Sequence, residues 1–157
     1  MFTTIDDGQV TSPKGFKAGT AAAGIKYPGK HDVGLLASAV PATAAGVFTR
    51  NTIRSAPVQV SEHRVARGSA SAVVVNSGCA NACTGERGLR DAESMASMAA
   101  AKLGLHGDDV LVASTGVIGT FLPLDRIERQ LHPPRWHRRR TGSSGRGAEY
   151  SKAFAKT

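Results

Sequence analysis

Apolar and polar positions alternate unevenly along this chain, and their spacing divides it into readable segments. "VGLLAS" (33–38) and "AAGVFT" (44–49) are short apolar runs that predict two strands joined through "AVPAT". "PVQVS" (57–61) predicts another strand, and "SAVVVNS" (71–77) predicts the strongest of the chain. Between these two, "EHRVARG" fits a short helix ending at Gly68. Over 87–103, Leu89, Ala92, Met95, Ala99 and Leu103 recur at three- and four-residue spacing and predict an amphipathic helix, with Gly104 as its stop. "DVLVAS" then returns as a strand, "TGVIGT" reads as a turn, and "LPLDRIERQL" (122–131) begins a helix with Pro123 in its first turn. Residues 1–32 are polar and broken by "TSPKGF" and "YPGKHD".

Several strands followed by helix, strand and helix describe a mixed α/β domain of packed layers, with direct strand connections early and a crossover later. The apolar period ends at Leu131. Residues 1–131 therefore read as one domain, and residues 132–157 as a basic tail rich in Pro, Arg, Gly and Ser. Such a composition buries too little surface to offset its ordering entropy, so disorder is the expectation for the tail.

Charge sharpens that division. The chain carries 20 basic and 12 acidic residues, net +8. Residues 1–131 hold 13 basic and 11 acidic ones, net +2, while the last 26 hold 7 and 1, net +6. The body is electrically ordinary and no nucleic-acid surface by charge. The tail, with Trp136 and Tyr150, offers a minor basic-binder alternative. A salt-dependent gel shift lost on removing the tail would mark that alternative. Aromatics make up 5% of the chain, so the core is expected from Val, Leu, Ile and Ala. No apolar run approaches the ~18 residues of a membrane span. The start has no signal-like apolar core, and two cysteines make no disulfide framework, so a cytoplasmic location is expected.

Four stretches invite chemical readings. "GIKYPGKH" (24–31) nearly matches a phosphate-binding loop, but His31 replaces the hydroxyl residue and a strand follows where a helix is needed. A Pro-Gly turn is the better reading. Cys79 and Cys83 lack companions in ligand spacing, so no metal is expected and both read as small buried thiols. In "NSGCANACTG" (76–85), Asn76 and Asn81 suit loop-shaping more than substrate contact. "ASTGVIG" (113–119) places Ser114, Thr115 and Gly116 where a strand ends. Helix capping would explain these small residues, and so would donors aimed at an acyl oxygen: the Thr115 hydroxyl and the unobstructed N–H of Gly116. As a nucleophile, Thr115 would need a base that nothing nearby in the sequence supplies.

"SPKGF", "AAGIK", "AGVFTRN", "APV", "VVVNSGCANACTG" and "DVLVASTGVIG" occur in one order. On these motifs, residues 10–131 resemble the N-terminal, α-chain part of the ornithine acetyltransferase/glutamate N-acetyltransferase family of arginine biosynthesis. Cys79 stands where the family often has Asn. The resemblance implies the layered sheet-and-helix α-chain fold. It implies acetyl transfer from N2-acetylornithine to glutamate, with acetyl-CoA as a further donor in some members, and no cofactor. It implies an oxyanion hole from Thr115 and Gly116. It also implies self-cleavage before a threonine that becomes the nucleophile of a β chain, in an α2β2 heterotetramer.

The family continues after "PLDRI" with a "TTDT"-like motif, an Ala-Thr cleavage site and the β chain, none of which is found in residues 132–157. The expectation is an oxyanion half without its nucleophile, inactive alone. The alternative is a truncated or frameshifted fragment with no specific partner, its tail read out of frame.

Overall fold

The computed structural model describes residues 6–131. The tail 132–157, and the disorder expected of it, lie outside the described residues, as do residues 1–5. Four strands form one sheet in the order β1 (Phe16–Ala21), β2 (Val33–Thr43), β3 (Ser69–Cys79), β4 (Val110–Val117). The first two pairings are antiparallel and β3–β4 is parallel. Three helices accompany it: α1 (Ala56–Val65), α2 (Gly85–Leu103) and α3 (Leu124–Leu131). This is the mixed α/β architecture expected, with α2 as the crossover that a parallel pair requires.

The α2 helix follows its sequence pattern. Ala92, Met95, Ala96, Ala99 and Ala100 are buried along one stripe, and their small side chains let the helix lie close to the sheet. Gly104 ends it in the left-handed conformation at φ 70°, its N–H closing on Ala100 O. A single 3-10 turn, Gly107–Asp109, leads into β4. Val33, Leu35, Val74, Val110 and Val112 meet α2 and Ile127 of α3 in one core.

Elsewhere the pattern misleads. No strand forms at 44–49; instead β2 runs on through Pro41 to Thr43. A register irregularity between Ala37 and Ala42 absorbs the proline, whose missing N–H a regular central ladder cannot accommodate. Residues 57–61 are helical, not extended, and α1 begins with Pro57 in its first turn, ending before rather than at Gly68. Its buried stripe includes Ser61 and Arg64, polar residues that hide the helical period from a hydropathy reading. The "TGVIGT" turn starts later than expected, since β4 extends through Val117. Finally, β1 was concealed among the polar residues of 1–32 because it is a half-exposed edge strand carrying Lys17 and Thr20.

Candidate acyl-oxygen site at the end of β4

The parallel register sets Asn76 beside Ser114, Ser77 beside Thr115, Gly78 beside Gly116 and Cys79 beside Val117. Both strands thus end together, and their carboxyl ends are where open α/β sheets present ligand sites. The loop after β3 is held there by backbone bonds, Ala80 N–H to Val117 O and Gly119 N–H to Ala82 O, each 2.9 Å.

Both asparagines of "NSGCANACTG" shape that loop. Asn76 Nδ2 donates to Cys79 O at 2.9 Å. Asn81, buried with φ 47°, donates to Gly88 O and accepts the Thr84 hydroxyl, both at 2.8 Å. Its carbonyl also receives the Ala56 N–H, which ties the start of α1 to the loop. Gly88 leaves room for this knot, because a Cβ there would lie 1.9 Å from Thr84 Oγ1. The thiols part company. Cys79 is buried and donates to Thr120 O at 3.2 Å, whereas Cys83 is exposed, correcting the expectation that both are buried. Cys83 sits in a turn at φ 58°, outside the apolar face that covers Cys79. Among the described residues no cluster of His, Cys, Asp or Glu is suited to a metal.

The segment "GIKYPGKH" is a loop between β1 and β2, followed by a strand, so it lacks the helix a phosphate loop needs. Its start wraps the buried Asp32 carboxylate, which accepts the N–H groups of Ala23 and Ile25 at 2.6 Å.

The outer edge of β4 is closed along half its length. The Ser61 hydroxyl accepts the Val112 N–H at 2.9 Å and donates to Val112 O at 2.7 Å. Arg64 Nη1 donates to Val110 O at 2.5 Å and pairs with Glu93. The sequence alone did not single out these α1 side chains; the signal was a Ser and an Arg five and eight residues after Ala56. Backbone groups of alternate strand residues point the same way. Val110 and Val112 point outward to α1, and Val117 O points inward to Ala80. Gly116 lies beyond the last residue of β4 that these α1 side chains bond.

Thr115 and Gly116 are both exposed. Thr115 Oγ1 makes no hydrogen bond among the described residues. Gly116 is a glycine of necessity. It has φ 133°, and a Cβ would lie 2.3 Å from Gly78 C and 2.6 Å from Cys79 N. Val117, Ile118 and Phe121 flank the strand end as exposed apolar residues, with the Arg87 guanidinium 3.8 Å over the Phe121 ring. This end of the molecule holds the exposed Thr115 and Gly116 beside an apolar rim. No described helix is long and apolar enough to cross a membrane.

Comparison with known proteins places this geometry in context. The profile of the ArgJ family matches residues 17–155, past the point at which the quoted motifs end. The chain is 47% identical to the arginine biosynthesis bifunctional protein ArgJ of Dehalococcoides mccartyi, an alignment covering 100% of this chain and 38% of that protein. It is 55% identical to the protein of the same name from Symbiobacterium thermophilum, over 76% of this chain and 30% of the relative. The chain therefore spans about a third of the length of these curated relatives. Among solved structures, ornithine acetyltransferase of Mycobacterium tuberculosis complexed with ornithine superposes with a TM-score of 0.77 at 41% identity, covering 81% of this chain and 69% of that one. The ArgJ protein of Bacillus halodurans gives 0.76 at 44% identity, over 80% and 65%.

Proposed function

This chain belongs to the ArgJ family, and from that premise we propose that it supplies the oxyanion-binding part of an ornithine acetyltransferase of arginine biosynthesis. The reaction is acetyl transfer from N2-acetyl-L-ornithine to L-glutamate, with acetyl-CoA as an additional donor. A threonine hydroxyl of the β chain gives its proton to that threonine's own α-amine and attacks the acetyl carbonyl, whose π electron pair moves onto oxygen; the α-ammonium then protonates the departing ornithine nitrogen. The negative oxygen is held by the Gly116 N–H and the Thr115 hydroxyl. Collapse breaks the carbon–nitrogen bond, ornithine leaves as the amine with a proton, and the acetyl group stays on the threonine. The glutamate amine then attacks that ester through a second tetrahedral state held by the same donors; its collapse breaks the ester carbon–oxygen bond, the amine's proton returns to the threonine oxygen, and N-acetylglutamate leaves. No residue of this chain serves as nucleophile.

The observation that supports this reading best is the exposure of Thr115 and Gly116 side by side where β3 and β4 end together. The Thr115 side chain leaves the strand on the face opposite Ser114, because successive side chains alternate. The acyl oxygen then sits at the corner between that face and the strand edge. In the active assembly, α2β2 and cytoplasmic, the apolar rim of Val117, Ile118 and Phe121 excludes water from this corner, where such donors act most strongly.

Co-expression with a family β chain tests the proposal. Turnover of N2-acetylornithine with glutamate should appear in the mixture and be absent from this chain alone. Turnover by the purified chain, or no turnover in a stable complex of the two chains, would sink it.

A further inference from the structure

"AGVFTRN" (45–51) is one of the motifs that carry the family resemblance, yet acyl transfer at β4 uses none of it. It joins β2 to α1 without helix or strand of its own. With the residues that follow, it bounds a groove of about 460 Å³ whose walls include Phe48, Thr49, Arg50, Asn51, Arg54 and Glu62.

The oxygens of the loop residues in this groove are already engaged. Thr49 Oγ1 accepts the Asn51 N–H at 3.1 Å, and Asn51 Oδ1 accepts the Ile53 N–H at 2.9 Å. Each bond pins an oxygen to the backbone and leaves the Thr49 O–H and the Asn51 Nδ2 hydrogens as donors. The Arg54 carbonyl takes the Gln59 Nε2 at 3.0 Å, while its guanidinium pairs with Glu62. Arg50 is exposed and makes no hydrogen bond or ion pair among the described residues. A concave surface whose free groups are donors, and whose unpaired charge is a planar guanidinium, suits an oxyanion. Glu62 is the opposing group, since its carboxylate lies in the same groove and occupies Arg54.

We propose that this groove binds a carboxylate or phosphate group, with Arg50 as the principal ligand and Thr49 and Asn51 donating beside it. Glu62 limits the affinity by competing for Arg54. The site is independent of the acyl-transfer reading, because no residue of β4 takes part.

The experiment is a titration of the isotope-labelled full chain with inorganic phosphate, and separately with glutarate, at constant ionic strength, followed by amide resonances. Saturable shifts across Thr49–Arg54 are expected with at least one probe, and the one that saturates at lower concentration identifies the oxyanion. Arg50→Gln should weaken binding about tenfold, the loss expected for a charge-assisted contact. Glu62→Gln should strengthen it about threefold, as relief of one exposed like charge. Arg50 is exposed, so its variant should keep the resonances of β3 and α2 in place, which verifies its fold. Shifts that never saturate, saturable shifts confined outside residues 46–62, or equal affinity in Arg50→Gln overturn the site. Unchanged or weaker binding in Glu62→Gln overturns the competition for Arg54.

Discussion

The joined ends of β3 and β4 and the 44–54 loop are both irregular, glycine-bearing and close to exposed apolar residues, yet they are built on opposite terms. At the strand ends, backbone and side chain interlock. Asn81 serves three partners, Gly88 clears space for Thr84, and Gly116 lies against Gly78 with no room for a Cβ. In the loop, the side chains of Thr49 and Asn51 bond only two residues along the chain, the longer bonds lie at its two ends (Ala44 to Gly68, Arg54 to Gln59 and Glu62), Val47 is fully exposed, and Ile53 is largely so. One region owes its shape to interlocking parts of the chain, and the middle of the other owes its shape to its neighbours in sequence. Substitutions should therefore be felt through the whole fold in the first and only locally in the second.

The largest effects should fall on the glycines of the strand ends. Gly116→Ala should lower stability by about 3 kcal/mol or more, from backbone overlap and an unfavourable φ, and Gly88→Ala by about 1–3 kcal/mol, from overlap with the Thr84 and Asn81 side chains. Urea denaturation followed by circular dichroism reads this directly, and wild-type midpoints would mean that the β3–β4 contact is looser than described. Because Gly116→Ala acts on the fold, it says little about catalysis.

Thr115→Ala separates the two. Its side chain is exposed and unbonded among the described residues, so the denaturation midpoint should stay put. Turnover of a complex reconstituted with a β chain should fall roughly 10²–10³-fold, the usual size for one oxyanion donor. Full turnover in this variant would leave Gly116 as the sole donor.

A smaller change is expected where α1 covers β4. Ser61→Ala strips the Val112 N–H and C=O of their partner in a buried setting and should cost about 1–3 kcal/mol. A cost near zero would show that water or a shifted Arg64 replaces the hydroxyl. The smallest effects belong to the loop. Val47→Ser and Arg50→Gln should each change stability by no more than about 0.5 kcal/mol, as expected of exposed positions. A large loss at either would move that residue from the second class of region to the first.

How much of this was legible depends on where each signal resides. The α2 helix, its Gly104 stop and the strands β3 and β4 were readable because their side chains repeat with the period of the element and bury what the pattern says they bury. The α1 helix was not, because two residues of its inner stripe, Ser61 and Arg64, are polar and meet backbone rather than apolar side chains. Nor was the passage of β2 through Pro41, since a bulge is an agreement between two strands and leaves little trace in one. "STG" marked the candidate donors by position, and "NSGCANACTG" marked the loop that its asparagines hold.

By itself the sequence determined the class of fold, the motifs of the ArgJ family and the positions of Thr115 and Gly116, because these reside in residue types and near-neighbour spacing. The tertiary structure decided that both stand exposed where β3 and β4 end together. The parallel pairing of β3 with β4 makes residue 116 a glycine for steric reasons as well as any chemical one. The side chains of Ser61 and Arg64, 51 and 46 residues away from their partners, cover the strand edge as far as Val112 and no further. Which backbone groups of a strand stay uncovered depends on the elements packed along its edge, and those are brought there only by the fold.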